Sequence, residues 1–160
     1  MAGELVVAAY RALPGAHLSD DYAALLADVA RRAGEAEVLV AADAPDPVGA
    51  EEVLGCVTFV GDHLSPWSEL LEAGEAGIRM LAVRPDAQRR GIGRSLVGAC
   101  AARARALGRT ALMLHTTPWM VAAHRLYEDA GFVRFPARDW TPVPDVPLLA
   151  YRLDLGRPRS

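Results

Sequence analysis

Runs of apolar residues, some alternating with polar ones and some recurring every three or four positions, divide the chain into predicted strands and helices. Seven segments have the pattern of strands: residues 4–10, 37–42, 53–60, 78–83, 111–116, 132–138 and 148–154. Three segments have the spacing and flanking residues of helices: residues 19–32, 92–107 and 117–130. This order predicts a mixed sheet with helices on its faces, including a parallel strand–helix–strand unit over residues 78–116.

Glycines and prolines between these segments predict where the elements end. Gly34, Gly108 and Gly131 each follow a predicted helix, where glycine is common because it tolerates a left-handed backbone. Residues 43–49 contain two prolines, which predicts a turn between two antiparallel strands. Four prolines lie in or beside the connection between the last two strands, and we expect no regular sheet there: Pro136, Pro142, Pro144 and Pro147.

The composition is that of an ordinary globular protein. The chain has 160 residues, 52% of them hydrophobic and 23% charged, so we expect one domain over residues 1–155 and a frayed tail over 156–160. A net charge of −3 disfavours a general nucleic-acid binder. No apolar run reaches the roughly 20 residues of a membrane span, and the N-terminus lacks a signal-peptide pattern, so a cytoplasmic location is expected. Cys56 and Cys100 are expected to be buried free thiols.

The segment between the strand at 78–83 and the next helix combines glycines with arginines. Gly91 and Gly93 lack side chains, so an anion can approach the main chain closely. The first turn of a helix leaves amide N–H groups unpaired at the positive end of its dipole. Three arginines add charge that can pair with phosphate oxygens: Arg89, Arg90 and Arg94. The strand, loop and helix together predict a phosphate-binding site.

Two common phosphate-binding motifs do not fit this loop. A P-loop requires a lysine, and the chain contains none. A dinucleotide fingerprint requires a third glycine where Leu96 stands. The remaining pattern, Gln/Arg-x-x-Gly-x-Gly/Ala, resembles the GCN5-related N-acetyltransferases, the GNAT superfamily. Residues 123–132, Ala-His-Arg-Leu-Tyr-Glu-Asp-Ala-Gly-Phe, resemble a second signature of this family, whose tyrosine is Tyr127 here.

The resemblance covers most of the chain and is strongest over residues 78–132. It implies an α/β fold in which a mixed sheet of about six or seven strands carries helices on both faces and contains a splayed parallel pair. It also implies transfer of an acetyl group from acetyl-CoA to a primary amine by direct attack in a ternary complex, with Tyr127 protonating the leaving thiolate. A backbone N–H near Leu81 or Val83 would stabilise the oxyanion. The implied coenzyme-binding residues are Leu81, Ala82, Val83, Gln88, Arg89, Arg90, Gly91, Ile92, Gly93, Arg94, Ser95, His124 and Tyr127.

The sequence leaves three alternatives for the general base: one of two residues, or a water relay. Some members of the family use a glutamate on the strand before the glycine loop. The matching residue here is Gly77, and Glu75, two positions earlier, would share its face of the strand. His115 is the rival, because other members place a glutamate on its strand and an ordinary imidazole titrates near neutral pH.

The acceptor pocket has weaker sequence signals. Met120 stands where many members carry an asparagine, so it is expected to line the pocket or to fill space rather than to hold the coenzyme. Trp67 and Trp140 lie in predicted loops, where they would either line the same pocket or cover an edge of the sheet. The identity of the acceptor amine is not encoded in a recognisable motif.

Two other functions are compatible with parts of the sequence. A non-catalytic module that binds acyl-CoA would account for the departures at Gly77 and Met120. A nucleic-acid-binding domain would use the arginine-rich helix, although the acidic net charge disfavours it. We expect acetyl-CoA and an amine as partners, with no nucleic acid, membrane or metal, and a homodimer is the base-rate expectation for assembly.

Overall fold

The computed structural model describes residues 2–13, 18–43 and 52–157. The helices are α1 (Ala2–Arg11), α2 (Asp20–Ala27), α3 (Val29–Glu35), α4 (Ile92–Ala106) and α5 (Val121–Asp129). The strands are β1 (Glu37–Ala42), β2 (Val53–Val60), β3 (Glu75–Val83), β4 (Ala111–Thr116), β5 (Val133–Arg134), β6 (Trp140–Val143) and β7 (Val146–Asp154). Two short 3₁₀ turns occupy Pro85–Ala87 and Pro136–Arg138.

The strands form a seven-stranded mixed sheet in the order β1-β2-β3-β4-β7-β5, with β6 paired to β7 beside this path. Strands β1, β2 and β3 pair antiparallel, and α4 connects β3 to its parallel neighbour β4. Strand β7 pairs antiparallel with β4, β5 and β6. The predicted mixed sheet, its parallel unit and its first antiparallel hairpin are therefore confirmed.

Strands β3 and β4 pair over only part of their length. Their parallel pairing starts at Glu75 and Ala111 and ends at Ile78 and Leu114, although both strands continue beyond this point. We call the gap beyond the last pair the split. The splayed parallel pair implied by the family resemblance is thus present, and it opens a passage between neighbouring strands in the middle of the sheet.

A bulge in β3 lies where the split begins. Thr58 of β2 pairs with Arg79 and Cys56 pairs with Ala82, so β3 contains one residue more than β2 between these pairs. Within this stretch Met80 has a φ of 53°, a left-handed backbone that is uncommon outside glycine. Because a bulge bends its strand and increases the local twist, it turns β3 away from β4.

Apolar side chains fill both faces of the sheet. The face under α4 and α5, which we call the α4 face, has a core that includes Val57, Phe59, Ile78, Leu96, Val97, Cys100, Leu114 and Tyr127. The opposite face, which we call the α1 face, has a core that includes Leu5, Val6, Leu26, Cys56, Val60, Trp67, Met80 and Ala82. Helices therefore cover both faces, as predicted.

The strand predicted at residues 4–10 is wrong, because this segment lies within helix α1. The β-branched pair at Val6 and Val7 favours a strand locally. Burial decides otherwise: Leu5 and Val6 are inside, and Ala9 and Tyr10, one helical turn later, pack on the same core. Tertiary packing of an amphipathic face outweighs the intrinsic preference of two residues.

The single helix predicted at residues 19–32 is also wrong, because the structure breaks it at Asp28. Asp28 has a ψ of 65° and its carboxylate accepts a hydrogen bond from the Arg31 N–H at 3.0 Å. The same residue therefore ends α2 and caps α3, because a short acidic side chain competes for backbone N–H groups. Helix α3 then passes the predicted stop at Gly34 and ends at Glu35.

The C-terminal predictions need three corrections. Helix α5 begins at Val121 and not at residue 117, because the preceding residues form a turn in which Met120 N–H donates to Thr117 O. The predicted strand at 132–138 shrinks to β5, since Pro136 opens a 3₁₀ turn. The proline-rich connection contains strand β6, although we expected no sheet there; β6 pairs only with β7, and such an edge tolerates Pro142.

Several local predictions are confirmed. Gly108 and Gly131 follow their helices with φ of 69° and 96°, the left-handed conformation that favours glycine. Cys56 and Cys100 are free and buried. Most of the predicted turn at 43–49 lies outside the described residues. Every helix in the described part of the chain is too short or too polar to cross a lipid bilayer.

Candidate active site

The backbone of β3 presents free amides to the split. The Arg84 N–H donates to Leu54 O of β2 at 2.8 Å. Since backbone groups of successive strand residues point to opposite sides, the amides of Ala82 and Arg84 face β2, and those of Leu81 and Val83 face the split. Pairing with β4 has already ended at this level, so the two latter amides are available to a ligand. The amide of Ala82, a predicted coenzyme-binding residue, faces β2 and is not available to a ligand in the split.

The glycine loop follows the 3₁₀ turn after β3 and leads into α4. Arg89 has a φ of 63° and Gly91 a φ of 81°, so two left-handed residues turn the chain into the helix. Gly91 occupies the N-cap position, and no described side chain caps the first turn. The amides of Ile92, Gly93 and Arg94 consequently have no acceptor inside the helix and form a donor set for an anion.

Gly93 has a separate, steric reason to be glycine. A Cβ at this position would lie 3.1 Å from a methyl group of Leu126, so α4 packs against α5 through the bare backbone. Ser95 donates its N–H to Gly91 O at 3.0 Å and closes the first helical turn. Gln88 precedes this turn with an exposed side chain.

The loop also carries unneutralised positive charge. Arg89 and Arg94 are exposed, and neither forms an ion pair with a described residue. Arg90 pairs with Asp43 at 3.3 Å, and both of these side chains are half exposed, so the pair is weak and an anionic ligand can replace Asp43. Arg84, by contrast, is held between two acidic residues. The loop between β3 and α4 is therefore basic.

Tyr127 on α5 lies on the α4 face and is 5% exposed. Its ring packs against Phe132 at 6.0 Å and Tyr151 at 6.1 Å between centroids. Burial raises the pKa of the Tyr127 hydroxyl well above its ordinary value, and Cys100 raises it further, so the hydroxyl keeps its proton. Tyr10, on the opposite face, is within electrostatic range of Tyr127, which is consistent with both rings lying beside the split.

Two predicted site residues, one in α5 and one just before it, have partners inside the protein. The His124 Nε2 donates to Thr117 O at 2.8 Å, and its ring lies 5.7 Å from that of Tyr151. Met120 stands just before α5 and its Sδ accepts from the Thr116 hydroxyl at 3.6 Å. The predicted contact of His124 with the coenzyme and the predicted pocket role of Met120 stay predictions.

Glu75 is bound on all sides at the start of β3. Its carboxylate accepts hydrogen bonds from Arg152 at 2.8 Å, from Arg138 at 3.2 Å and from the Glu72 N–H at 3.0 Å, and its side chain is 6% exposed. It also lies three residues before Ile78, the last residue of β3 that pairs with β4, which is about 10 Å along a strand. The arrangement gives Glu75 a structural role and does not support it as the general base.

A cavity opens on the α1 face at the start of the split. The residues that line it include Trp67, Glu69, Leu71, Gly77, Arg79, Met113 and His115. We call it the split cavity. Gly77, which replaces the family glutamate, supplies no carboxylate, and a Cβ there would lie 3.1 Å from a Leu71 methyl. The predicted pocket residue Trp67 lines this cavity and donates its Nε1–H to Glu35 at 2.8 Å.

His115 and Arg79 flank the split. Each is the residue that follows the last pair of its strand, Leu114 in β4 and Ile78 in β3. The His115 Nε2 lies 2.9 Å from Arg138 O. Because a carbonyl can only accept a hydrogen bond, Nε2 carries the ring proton and Nδ1 is left as the basic nitrogen. Trp140, the third predicted pocket residue, lies in β6 with a buried Nε1–H that has no partner among the described residues.

Sequence reasoning did not identify Arg79, Tyr10 or Tyr22 as residues of this region. Arg79 and Glu69 form an ion pair of 2.5 Å in the split cavity, and the ring of Tyr22 lies 6.3 Å from that of Tyr10. The position of Tyr10 on the α1 face was not predicted, because its segment was expected to be a strand. Arg79 carried a usable signal, since a single arginine within an apolar strand is seldom placed there without a partner.

Comparison with known proteins supports the family resemblance that the sequence motifs indicated. The model of the acetyltransferase (GNAT) family matches residues 5–132. No curated protein matches the chain at a significant level.

Solved structures of similar fold include three acetyltransferases of low sequence identity. A GNAT-family acetyltransferase from Staphylococcus aureus has a TM-score of 0.70 and 14% identity, with 95% of this chain and 89% of that chain covered. The ribosomal-protein-S18-alanine N-acetyltransferase from Escherichia coli has a TM-score of 0.60 and 20% identity, with coverages of 96% and 88%. An acetyltransferase from Bacillus subtilis, solved with CoA, has a TM-score of 0.57 and 20% identity, with coverages of 79% and 81%. At these identities the likeness concerns the fold, while the family model covers most of the chain, and the chain therefore belongs to the GNAT family of acetyltransferases.

Proposed function

We propose that this protein transfers an acetyl group from acetyl-CoA to a primary amine that attacks the thioester directly. The observation that carries the proposal is the continuity of two donor sets. The free amides of Leu81 and Val83 line the split, and the same strand leads into the uncapped first turn of α4. A ligand that bears a diphosphate at one end and a thioester at the other fits this path.

The residues present fit the coenzyme chemically. The amides of Ile92, Gly93 and Arg94 are donors for a diphosphate, and the exposed Arg89 and Arg94 side chains can balance its charge. The strand edge at the split offers N–H groups to an amide-containing arm. The Bacillus subtilis structure of similar fold contains CoA, which supports the same ligand class here.

The bound coenzyme supplies the thioester carbonyl and the thiolate leaving group. The amides of Leu81 and Val83 are placed to stabilise negative charge that develops on a carbonyl oxygen in the split. Tyr127 holds a proton at its hydroxyl because burial keeps its pKa high, and it donates this proton to sulfur. The Nδ1 atom of His115, directly or through water, takes a proton from the amine. Holding both reactants in one passage supplies much of the rate.

Calorimetry with acetyl-CoA and a thiol-release assay across amine classes test the proposal. We expect the protein to bind acetyl-CoA and to release thiol with at least one amine class. Arg94→Gln should weaken coenzyme binding about tenfold by removing a phosphate partner. Arg105→Gln, at the far end of α4, is the matched control and should bind as wild type does.

Two outcomes would overturn this proposal. Coenzyme binding without thiol release from any amine would favour a non-catalytic acyl-CoA-binding module, which the absence of a carboxylate at Gly77 makes a real alternative. Failure to bind acetyl-CoA at all would remove both functions, because both depend on the same loop.

A further inference from the structure

We infer that the acceptor is a small primary amine that also carries a carboxylate, such as an amino acid, and that Arg79 binds this carboxylate in the split cavity. The inference rests on the proposed acetyl transfer and adds the chemical class of the acceptor. It starts from a charged group that the coenzyme does not use.

Arg79 is a partly buried guanidinium with spare hydrogen-bond donors. Its side chain is 21% exposed and lines the split cavity. Its Nη2 lies 2.5 Å from Glu69, and its guanidinium carbon lies 5.5 Å from the centre of the Trp67 ring. Within the described ranges no second carboxylate or carbonyl bonds to it, so most of its five N–H groups remain free to bind a planar anion.

The phosphates of the coenzyme are not the anion that this site would bind. The predicted diphosphate site lies at the first turn of α4, which packs on the α4 face of the sheet. Arg79 faces the split cavity with Trp67 and Glu69, on the α1 face. An anion at Arg79 must therefore belong to the other substrate, the acceptor.

The position of Arg79 fixes where the acceptor amine would lie. Arg79 and His115 each follow the last pair of their strands, so they flank the entrance of the split on the same side of the sheet. An acceptor whose carboxylate binds Arg79 has its amine a few bonds away, next to the split and His115. Glu69 forms an ion pair with Arg79, so the acceptor carboxylate would bind the N–H groups of Arg79 that Glu69 does not occupy.

The cavity favours a short acceptor, because its enclosed volume of about 20 Å³ admits little more than a carboxylate group. The Leu71 side chain occupies the space beside Gly77, and Met113 closes the β4 side. In the reaction the neutral amine forms the new C–N bond to the acetyl carbon while the C–S bond breaks. The amine loses a proton to His115 or water, and the thiolate gains one from Tyr127, so charge and atoms balance.

Matched acceptor pairs test the inference. We would measure kcat and KM for α-, β- and γ-amino acids and for the amide of each, with acetyl-CoA saturating. We expect the free carboxylate to raise kcat/KM about ten- to a hundredfold over the amide, the range for a charge-assisted hydrogen bond. Because the amide has the less basic and more often neutral amine, such a preference would not come from amine reactivity.

Substitution of Arg79 assigns the preference to one residue. Arg79→Gln should abolish the difference between acid and amide, mainly through KM, while acetyl-CoA affinity by calorimetry stays as in wild type. Arg79→Lys should restore part of the preference, since it keeps the charge but loses the planar fork. Arg105→Gln is the exposed control and should keep the wild-type ratio.

The outcomes separate this inference from the proposed function. Equal use of acids and amides by the wild-type protein would overturn the carboxylate inference and leave acetyl transfer intact. An Arg79→Gln variant that loses activity with acids and amides to the same extent would also overturn it. Thiol release from no amine would overturn acetyl transfer and the inference with it. The comparison of acids with amides on the wild-type protein can overturn the inference even if an Arg79 variant does not fold.

Discussion

The carboxylate of Glu75 accepts a hydrogen bond from Arg152 at 2.8 Å across the intervening strand β4. Arg138, from the 3₁₀ turn after β5, binds the same carboxylate. Glu75 thus joins β3 to two C-terminal elements at the paired end of the β3–β4 ladder, on the side away from the split. A carboxylate that is buried and paired at this end of the ladder is poorly placed to reach an amine in the split.

Replacing Glu75 should affect stability rather than catalytic chemistry. We expect Glu75→Gln to lower the free energy of unfolding by about 2–4 kcal/mol, because it leaves Arg152 without its charge partner and Arg138 with only the exposed Glu72. The pH dependence of kcat should be unchanged. Urea denaturation and a pH–rate profile measure the two effects.

Glu72→Gln is the matched control for this substitution. Glu72 also pairs with Arg138, at 2.7 Å, but its side chain is 70% exposed. An exposed pair contributes about 0–1 kcal/mol, so this variant should stay close to wild type in stability. Loss of a titration from the kcat profile of Glu75→Gln would instead support Glu75 as the general base.

Gly91, the N-cap of α4, and Gly98, within α4, should respond oppositely to alanine. Gly91 has a φ of 81°, and an alanine in the left-handed region costs about 1 kcal/mol. Gly91→Ala should therefore lower stability and weaken acetyl-CoA binding, because the turn that aims the helix amides is strained. Gly98 lies within α4 with open space around it, and Gly98→Ala should raise stability by about 0.5–1 kcal/mol.

Thermal unfolding and calorimetry of these two variants check the role of the loop. Gly98→Ala makes the same substitution as Gly91→Ala, but at a position without a left-handed backbone. Its affinity for acetyl-CoA should match that of wild type. If Gly91→Ala is destabilised as expected but still binds acetyl-CoA as tightly as wild type, the backbone turn at Gly91 is not needed for binding. That result would contradict the predicted site.

Local features of the fold were predictable from sequence, whereas contacts between distant segments were not. The loop before α4 could be predicted because its signal is local: the motif spans six residues, and its Gly91 has the left-handed backbone that favours glycine. The ring of partners around Glu75 could not, since Arg138 and Arg152 lie 63 and 77 residues away along the chain. Arg79 and His115 flank the split, which opens where a bulge at Met80 turns β3 away from β4, and no residue pattern predicts that bulge.

Helix α1 illustrates a different limit. Its Val6 and Val7 favour a strand, and only the core under the α1 face makes the helix favourable. Gly3 reinforces this docking, because a Cβ there would lie 2.1 Å from Ala27 O of α2. The misassigned segment carries Tyr10, so the error in secondary structure also hid the packing of Tyr10 on the α1 face.

Tyr127→Phe should slow acetyl transfer without unfolding the protein. The phenylalanine keeps the ring contacts with Phe132 and Tyr151 and removes only the proton donor. We expect kcat/KM to fall about a hundredfold or more, the range of general acid catalysis. Because the pKa of Tyr127 is raised above its ordinary value of 10.0, the wild-type rate should show no loss from Tyr127 ionisation up to that pH.

Tyr151→Phe is the matched control for this substitution. The Tyr151 hydroxyl donates to Glu128 at 3.3 Å, so the variant loses a hydroxyl from the same aromatic cluster. Its rate should remain close to wild type. An equal loss in both variants would indicate that packing of the cluster, and not proton donation by Tyr127, controls the rate.

The buried thiols should make the protein less stable at high pH. Burial raises the pKa of Cys56 to about 11 and that of Cys100 to about 12, from an ordinary value of 9.0. Each thiol therefore holds its proton more firmly in the folded than in the unfolded state. Below pH about 9 both states keep the thiols protonated, so the thiols do not make the free energy of unfolding depend on pH. Above pH about 9 the free energy of unfolding should fall by up to about 1.4 kcal/mol per pH unit for each thiol.

Replacing both thiols should flatten this dependence. A Cys56→Ala, Cys100→Ala variant loses some packing and starts from lower stability, but its free energy of unfolding should change less between pH about 8.5 and about 10, before the buried tyrosines add their own slope. Urea denaturation at closely spaced pH values measures the difference in slope, which is independent of the packing loss. Equal slopes in wild type and variant would mean that groups other than Cys56 and Cys100 account for the alkaline loss of stability.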